Sequence, residues 1–544
     1  MVDKQLKNIS FSNWVLGFAL FAGGLLRLWL IFSNHYLSPD GAHYASLGYH
    51  LIHSGQYVSN GSQFPDIIQP PLYPLFLGLL SLLFKPLLAG KLVSFVFGLG
   101  LIVLVYRFVE RLSQNGLLAG VTALLVSFNP AFVSISAQVA TESLYFFLLF
   151  LAFVWLLFYL NDEQKRNKRL LSGAALAVGF AYLTRPETVS YIFMIMLILI
   201  IWKRKFRALI TFSTIILMFV VVYSLFVFLV SGKVSVYPKI KFVRLHSRIS
   251  RFLLAEDQKA GRQFDFKMHL NRVRYSLNSS GDEILANALF NRTETLAQVT
   301  NKKTPKIRQL KQFLKFARVN FGKALKKFLW GLILPPGYLL FLLIGFLKFR
   351  WKKHKGLGLY CCFFILPTFL VLMANVEQRF MFFPGLILMP MVAYGLMRFS
   401  ELVFKSVKNV KRQGMALSFL LFLVVLTALP GYAQAFRNMR QNDYYYSAGR
   451  WLKSQIGQQA TVGATVPQAV YFSGLKYVVL PFAPLDSLQL YLLKKQVDFI
   501  LIESKDRLRR PWQLEPPEWP VFLNLVGIKQ FDDQKIFLLR VKKE

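Results

Sequence analysis

Residues 38–57 read "SPDGAHYASLGYHLIHSGQY" and set Asp40, His43 and Tyr44 at the head of a predicted helix. Ser38 suits the N-cap, Pro39 the first turn and Gly55 the C-terminal end. A helix starting at 39 puts Asp40 in its first turn, with His43 and Tyr44 one turn further along the same face. The amide groups and dipole of that helix end favour an ionised Asp40. An ionised carboxylate can take a proton or hold a cation, although Asp is also common at helix starts for the sake of the helix alone. Other chemistry-bearing residues are sparse. "FPDIIQPPLYP" supplies Asp66, Gln69 and Tyr73, "ATESLYF" Glu142, "LTRPETV" Arg185 and Glu187, and "NVEQRFMFFPG" Glu377 and Arg379. A guanidinium can grip phosphate oxygens with two parallel hydrogen bonds. The same residues could equally pair among themselves, Arg185 with Glu187 or Glu142 and Arg379 with Glu377.

The elements that must position these residues are membrane spans. The chain has 544 residues, 55% hydrophobic, 16% aromatic and 17% charged, with a mean hydropathy of +0.44. Soluble domains carry about a quarter charged residues. Apolar runs long enough for a hydrocarbon core of about 30 Å recur throughout. They fall at 12–33, 89–107, 117–137, 141–160, 170–184, 187–202, 208–230, 329–348, 357–374, 380–398 and 414–433, which makes eleven expected spans. Residues 70–86, apolar but bounded by prolines, read as an interfacial or re-entrant helix. The first run is too long, and lacks the small-residue site, for a cleaved signal peptide.

Loop charge orients the spans. "RFVERLSQN", "NDEQKRNKR", "WKRKFR", "KFRWKKHKG" and "RFSELVFKSVKNVKRQ" are basic, whereas "SAQVATES", "TRPETVS" and "NVEQRF" are nearly free of basic residues. The positive-inside rule therefore predicts a cytoplasmic N-terminus and places residues 38–57 outside. The net charge of +39 follows from such loops and from contact with anionic lipid, and nucleic acid is not an expected partner. Cys361 and Cys362 are adjacent within an apolar run and cannot build a disulfide framework or a zinc site alone.

The expected organisation is a transmembrane region, 1–433, with a first external loop at 34–88 and a long basic external loop at 231–328. The latter holds 22 Lys/Arg against 6 Asp/Glu, and its "NKKTPKIRQLKQFLKFARVNFGKALKKFLWG" patterns as an amphipathic helix on an anionic surface. It could also gather an anionic lipid-linked substrate. Residues 434–544 read as an extracytoplasmic α/β domain, with helices at "YYYSAGRWLKSQIG" and "LDSLQLYLLKKQ" and strands at "ATVGAT", "KYVVLP", "DFILIES" and "KIFLLRVKK".

The first 80 residues, with "SPDGAHYASLGYHLIHSGQY…QPPLYPLFLGLL", resemble the first external loop of bacterial lipid-linked-sugar glycosyltransferases of the GT-C superfamily. The resemblance is to the branch holding protein O-mannosyltransferases and the aminoarabinose transferases of lipid A. "TRPE", "RFMFFPGLILMP" and the C-terminal α/β region are similar to the same group. The resemblance implies a polytopic α-helical fold and a polyprenyl-phosphate-linked sugar donor in the bacterial cytoplasmic membrane. The acceptor would be a lipid, a polysaccharide or a protein. It further implies Asp40 as general base, Arg379 and Arg185 as holders of the donor phosphate, and His43, Tyr44, Asp66, Gln69, Tyr73, Glu142, Glu187 and Glu377 in support. Many members carry Asp-Glu where this chain has Asp40-Gly41. His43 and Asp66 could ligate a divalent ion, and metal dependence is left open. A flippase for a lipid-linked saccharide would also want cations in a cavity, but would more naturally show internal repeats and mid-membrane charges. A non-catalytic scaffold retaining the fold is the third reading.

Overall fold

The computed structural model describes residues 2–59, 66, 69–161, 167–203, 206–232, 234–236, 322, 334–349, 355–374, 378–403, 410–441, 443–457, 459–480, 485–504, 519–531 and 534–542. Nearly all of the basic 231–328 segment, Glu377 and most of the loop 60–68 lie outside the described residues. In chain order the helices are α1 (Val2–Ser33), α2 (Pro39–Ser54), α3 (Leu72–Leu80), α4 (Pro86–Ser113), α5 (Gly116–Ser127), α6 (Pro130–Ser136), α7 (Glu142–Asn161), α8 (Lys168–Tyr182), α9 (Thr188–Lys203) and α10 (Phe206–Ser231). They continue as α11 (Pro336–Lys348), α12 (Lys355–Ala374), α13 (Phe382–Val403), α14 (Val410–Leu426), α15 (Leu429–Arg440), α16 (Tyr444–Gln455), α17 (Gln468–Ser473) and α18 (Leu485–Lys494). The chain divides into two compact units. One comprises Met1–Asn34, Leu88–Val222 and Lys306–Met439, the other His35–Leu87, Tyr223–Pro305 and Arg440–Glu544.

The first unit is helical. A helix lies over each of the eleven apolar runs, but length and composition qualify six as membrane spans among the described residues, or seven if the bent pair α5–α6 is one span. α8, α9 and α11 have only 15, 16 and 13 residues. At about 1.5 Å per residue these fall short of a 30 Å core, so the expected count of eleven rests on hydropathy alone. The bend of 62° between α5 and α6 falls at Asn129-Pro130. Proline disfavours helical geometry in the residue before it, and the Asn129 side chain caps the new helix by accepting from Ala131 N. Lys91 of α4 is 2% exposed and donates to the carbonyls of Ile31 and Asn34, satisfying the C-terminal end of α1.

The second unit holds α2, α3 and a sheet. α2 and α3 pack closely at Gly48 and Gly78, where a Cβ on either would run into the other helix's backbone. α3 has 9 residues and ends in turns, far too short to cross a bilayer as a helix. The sheet, β1 (Thr461–Ala464), β2 (Lys476–Val479), β3 (Phe499–Glu503), β4 (Leu523–Phe531) and β5 (Gln534–Val541), is ordered β2-β1-β3-β5-β4. β1 pairs parallel with β2 and β3 through the crossovers α17 and α18, while β5 runs antiparallel to both β3 and β4. Four strands and two helices follow the sequence expectation. β4 and α17 do not, because β4 is exposed along most of its length and so lacks the alternating pattern of a half-buried strand. Within this unit His35 N donates to Asp443 Oδ1 at 2.9 Å, and the His35 ring stacks on Tyr446 with centroids 4.0 Å apart.

Candidate active site

The helix that carries Asp40 forms as its end signals dictate. Ser38 Oγ accepts from Gly41 N at 2.9 Å, Pro39 occupies the first turn, and Gly55 closes the helix at φ 67°. That left-handed conformation is one glycine adopts without strain. Asp40 is half-buried in the first turn. Tyr36 lies close enough that burial, then the Asp40 carboxylate, raises its phenol above the ordinary value of 10.

The other candidates of the 34–88 loop form a network in this same unit. The His43 ring nitrogen Nε2 contacts Asp66 Oδ2, and Asp66 is 1% exposed. Asp66 Oδ1 accepts from Gln69 N at 3.0 Å, and Gln69 Oε1 accepts from Tyr44 OH at 3.2 Å. The Tyr44 ring packs edge-on against the fully buried Tyr73. Tyr57 donates to the carbonyls of Gln69 and Pro70, and its backbone carbonyl accepts from Asp66 N at 2.8 Å. Burial, then Asp66, pushes the Tyr57 phenol well above 10, so it stays protonated and serves as donor. His43, Tyr44, Asp66, Gln69 and Tyr73 are thus brought together, and Tyr57 joins them as a residue that composition did not single out. Among the described residues no three of His, Cys, Asp and Glu group as a metal site; His43 and Asp66 meet as a pair.

The remaining described candidates, Glu142, Arg185, Glu187 and Arg379, gather in the helical unit. Glu142 begins α7 and is 5% exposed. Its Oε1 accepts from Arg185 Nη1 at 2.6 Å and lies 3.6 Å from Arg379 Nη1. Arg185 follows α8, and the short turn before α9 folds it back with Glu187, whose Oε2 is 3.6 Å from Arg185 Nε. Thr188 Oγ1 donates to the Arg185 carbonyl and fixes that turn. Arg379 sits in a single 3₁₀ turn, Gln378–Met381, ahead of α13. Arg185 stacks over the rings of Tyr145 and Phe380, and Arg379 over Phe380. These residues, with Phe146, Tyr191, Thr368 and Phe383, line a small pocket. Two guanidiniums meet two carboxylates there, Glu142 shared by both arginines and Glu187 beside Arg185, and the half-buried Arg379 is the cation more open to a ligand. The Arg185 side chain is 9% exposed and that of Arg379 32%. Sequence reasoning missed Thr141, whose hydroxyl is 3.3 Å from Arg185 Nη1. A threonine preceding an acidic helix start carries no distinctive signal.

Comparison with known proteins agrees with this architecture. Residues 68–228 match the family model for dolichyl-phosphate-mannose-protein mannosyltransferases. Comparison with curated sequences gives no match. Among solved structures the chain is similar to ArnT from Cupriavidus metallidurans bound to undecaprenyl phosphate, at 14% identity and a TM-score of 0.50, covering 97% of this chain and 98% of that one. It is also similar to the oligosaccharyltransferase of Archaeoglobus fulgidus, at 13% identity and a TM-score of 0.50, covering 91% of this chain and 70% of that one. At such identities the likeness is one of fold. The chain is a multi-pass membrane protein with the fold of the GT-C superfamily of integral membrane glycosyltransferases, the group its first 80 residues resemble.

Proposed function

We propose that this protein transfers a sugar from a polyprenyl-phosphate donor to an acceptor hydroxyl on the outer face of the bacterial cytoplasmic membrane. Residues 434–544 form its extracytoplasmic α/β domain. Nucleotide sugars are confined to the cytoplasm, so a donor used outside must be carried by lipid. Asp40 takes the acceptor proton as the acceptor oxygen attacks the anomeric carbon. The bond from that carbon to the phosphate oxygen breaks on the opposite face, the carbon inverts, and polyprenyl phosphate departs with the electron pair. Arg379, backed by Arg185, stabilises the phosphate as its negative charge grows.

The observation that supports this reading is the cluster of buried Glu142 and Arg185, with Glu187 and the half-buried Arg379, at an aromatic-lined pocket. Arginines within membrane proteins are costly and mark functional sites by default. The ArnT of similar fold was determined with undecaprenyl phosphate bound, which is the leaving group of such a reaction. The test is transfer of radiolabel from a panel of polyprenyl-phosphate sugars to membrane fractions by the full-length protein. Transfer from one donor type supports the reading, and absence of transfer from every donor removes it in favour of a flippase or scaffold.

A further inference from the structure

The helical unit contains another cation, one the proposed chemistry does not use. Arg27 lies in α1, inside the span Ser12–Ser33, and is 0% exposed. Its Nη1 donates to the carbonyls of Gly23 and Ser127, each at 2.9 Å, and its Nε donates to Ser136 Oγ at 3.0 Å. These partners are neutral. A full charge in a span, bonded to uncharged oxygens, indicates that hydrogen-bond geometry rather than charge pairing keeps it there.

Its partners lie at the two ends of a short, sharply turned segment. The break between α5 and α6 leaves carbonyls without helical donors, which lipid would penalise. Each is met by a side chain from elsewhere in the unit. Tyr338 donates to Leu125 O at 3.1 Å, Arg27 to Ser127 O, and Tyr432 to Phe128 O at 2.9 Å. Arg27 differs from the two tyrosines in reaching across the break, since Ser127 ends α5 and Ser136 ends α6. From Ser136 the chain runs only to Thr141 before Glu142 begins α7. That turn is also held by Ser94, whose Oγ donates to Ala140 O at 3.0 Å. On its other side α6 packs Phe132 against Phe382, three residues after Arg379.

We infer that Arg27 is a positioning residue that clamps α6 across the broken span and thereby sets the turn delivering Glu142 to Arg185 and Arg379. The functional part of this rests on the cluster being the donor-phosphate site; the structural part does not. Mere burial of a cation would be met equally by lysine, whereas the clamp needs the guanidinium to reach Ser127 O and Ser136 Oγ together.

The experiment uses full-length protein in which Cys361 and Cys362 are serine. Val139, 2% exposed in the turn, and Ala174, 0% exposed in α8, are replaced singly by cysteine, and maleimide labelling rates are measured. Arg27→Gln is expected to speed labelling at 139 by about tenfold or more, from loss of charged hydrogen bonds, and to leave 174 protected. Ser136→Ala, a milder change, should raise the rate at 139 by a smaller factor, and Arg27→Lys should fall between. Equal rates at 139 in all variants would overturn the inference, as would equal acceleration at 139 and 174 in both Arg27→Gln and Ser136→Ala. A second arm measures donor KM and kcat. Arg27→Gln and Arg379→Gln should both raise donor KM. If Arg379→Gln leaves it unchanged, the phosphate reading fails while the labelling arm still decides the clamp.

Discussion

Glu142 is the residue whose removal should cost the protein most. Its buried carboxylate is shared by two guanidiniums, so Glu142→Gln leaves the buried Arg185 with only Glu187, at 3.6 Å, and the half-buried Arg379 facing a neutral amide. Breaking a buried pair by deleting one partner typically costs about 3–5 kcal/mol. A fall in the detergent-solubilised melting temperature is expected, larger than that for Arg379→Gln, whose side chain is the more exposed. The sequence made Arg185 legible as a partner of Glu142 or Glu187, and it pairs with both. It paired Arg379 with its neighbour Glu377, which lies outside the described residues, and gave no sign of the ion pair with Glu142, more than 230 positions away. Local spacing cannot reveal such a contact, because tertiary packing creates it. On α2, His43→Ala removes the ring that contacts Asp66 and leaves that carboxylate buried without the imidazole. We expect lower stability, read as earlier thermal unfolding, with Asp66→Asn milder because an amide still bonds Gln69 N.

At the scale of elements, α2 was the most legible part of the chain, since Ser38, Pro39 and Gly55 mark both ends within 18 residues. Ser38→Ala should cost about 1 kcal/mol by leaving the Gly41 amide without its cap, read as a lowered melting temperature. Gly48→Val should be far worse, because the added side chain meets the backbone of α3 at Pro74 and Gly78. Loss of folded protein on size-exclusion chromatography would report it. The α5–α6 break was illegible as a bend. "SFNPAF" sits inside a continuous apolar run, and hydropathy averages over the 62° change of direction. The lone arginine in "GGLLRLWL" was a visible signal, and its partners lie about 100 residues away. β4 stayed hidden for the opposite reason, being a strand paired on one edge with little side-chain burial to pattern it.

For the whole molecule, composition and loop charge pointed to the membrane class and an expected orientation, and among the described residues helix length and apolarity support six or seven spans. The orientation is testable on intact cells lacking native cysteines. Gln56→Cys should react with a membrane-impermeant maleimide, while Gln114→Cys, in the first basic loop, should react only after lysis; the reverse pattern would invert the topology. Stability should also depend on pH through His50. Burial, then neighbouring His53, lowers its folded value below 6.5, so the neutral ring is the form that folding favours. The unfolded chain therefore takes up the proton first as pH falls, and this contribution, complete above about 6.5, is lost toward the lower folded value. His50→Gln should flatten the melting-temperature profile in that acid window and leave it unchanged above it.

Asp40 as general base is the claim on which the reaction depends. The most direct measurement is transfer from the preferred polyprenyl-phosphate sugar by wild type and Asp40→Asn side by side, with insertion, folding and donor binding confirmed for both. The account predicts a loss of about 10²-fold or more in turnover, the usual worth of a general base, with donor binding retained. Equal turnover by the two proteins would contradict it and move the search for the base to Asp66 and Glu142.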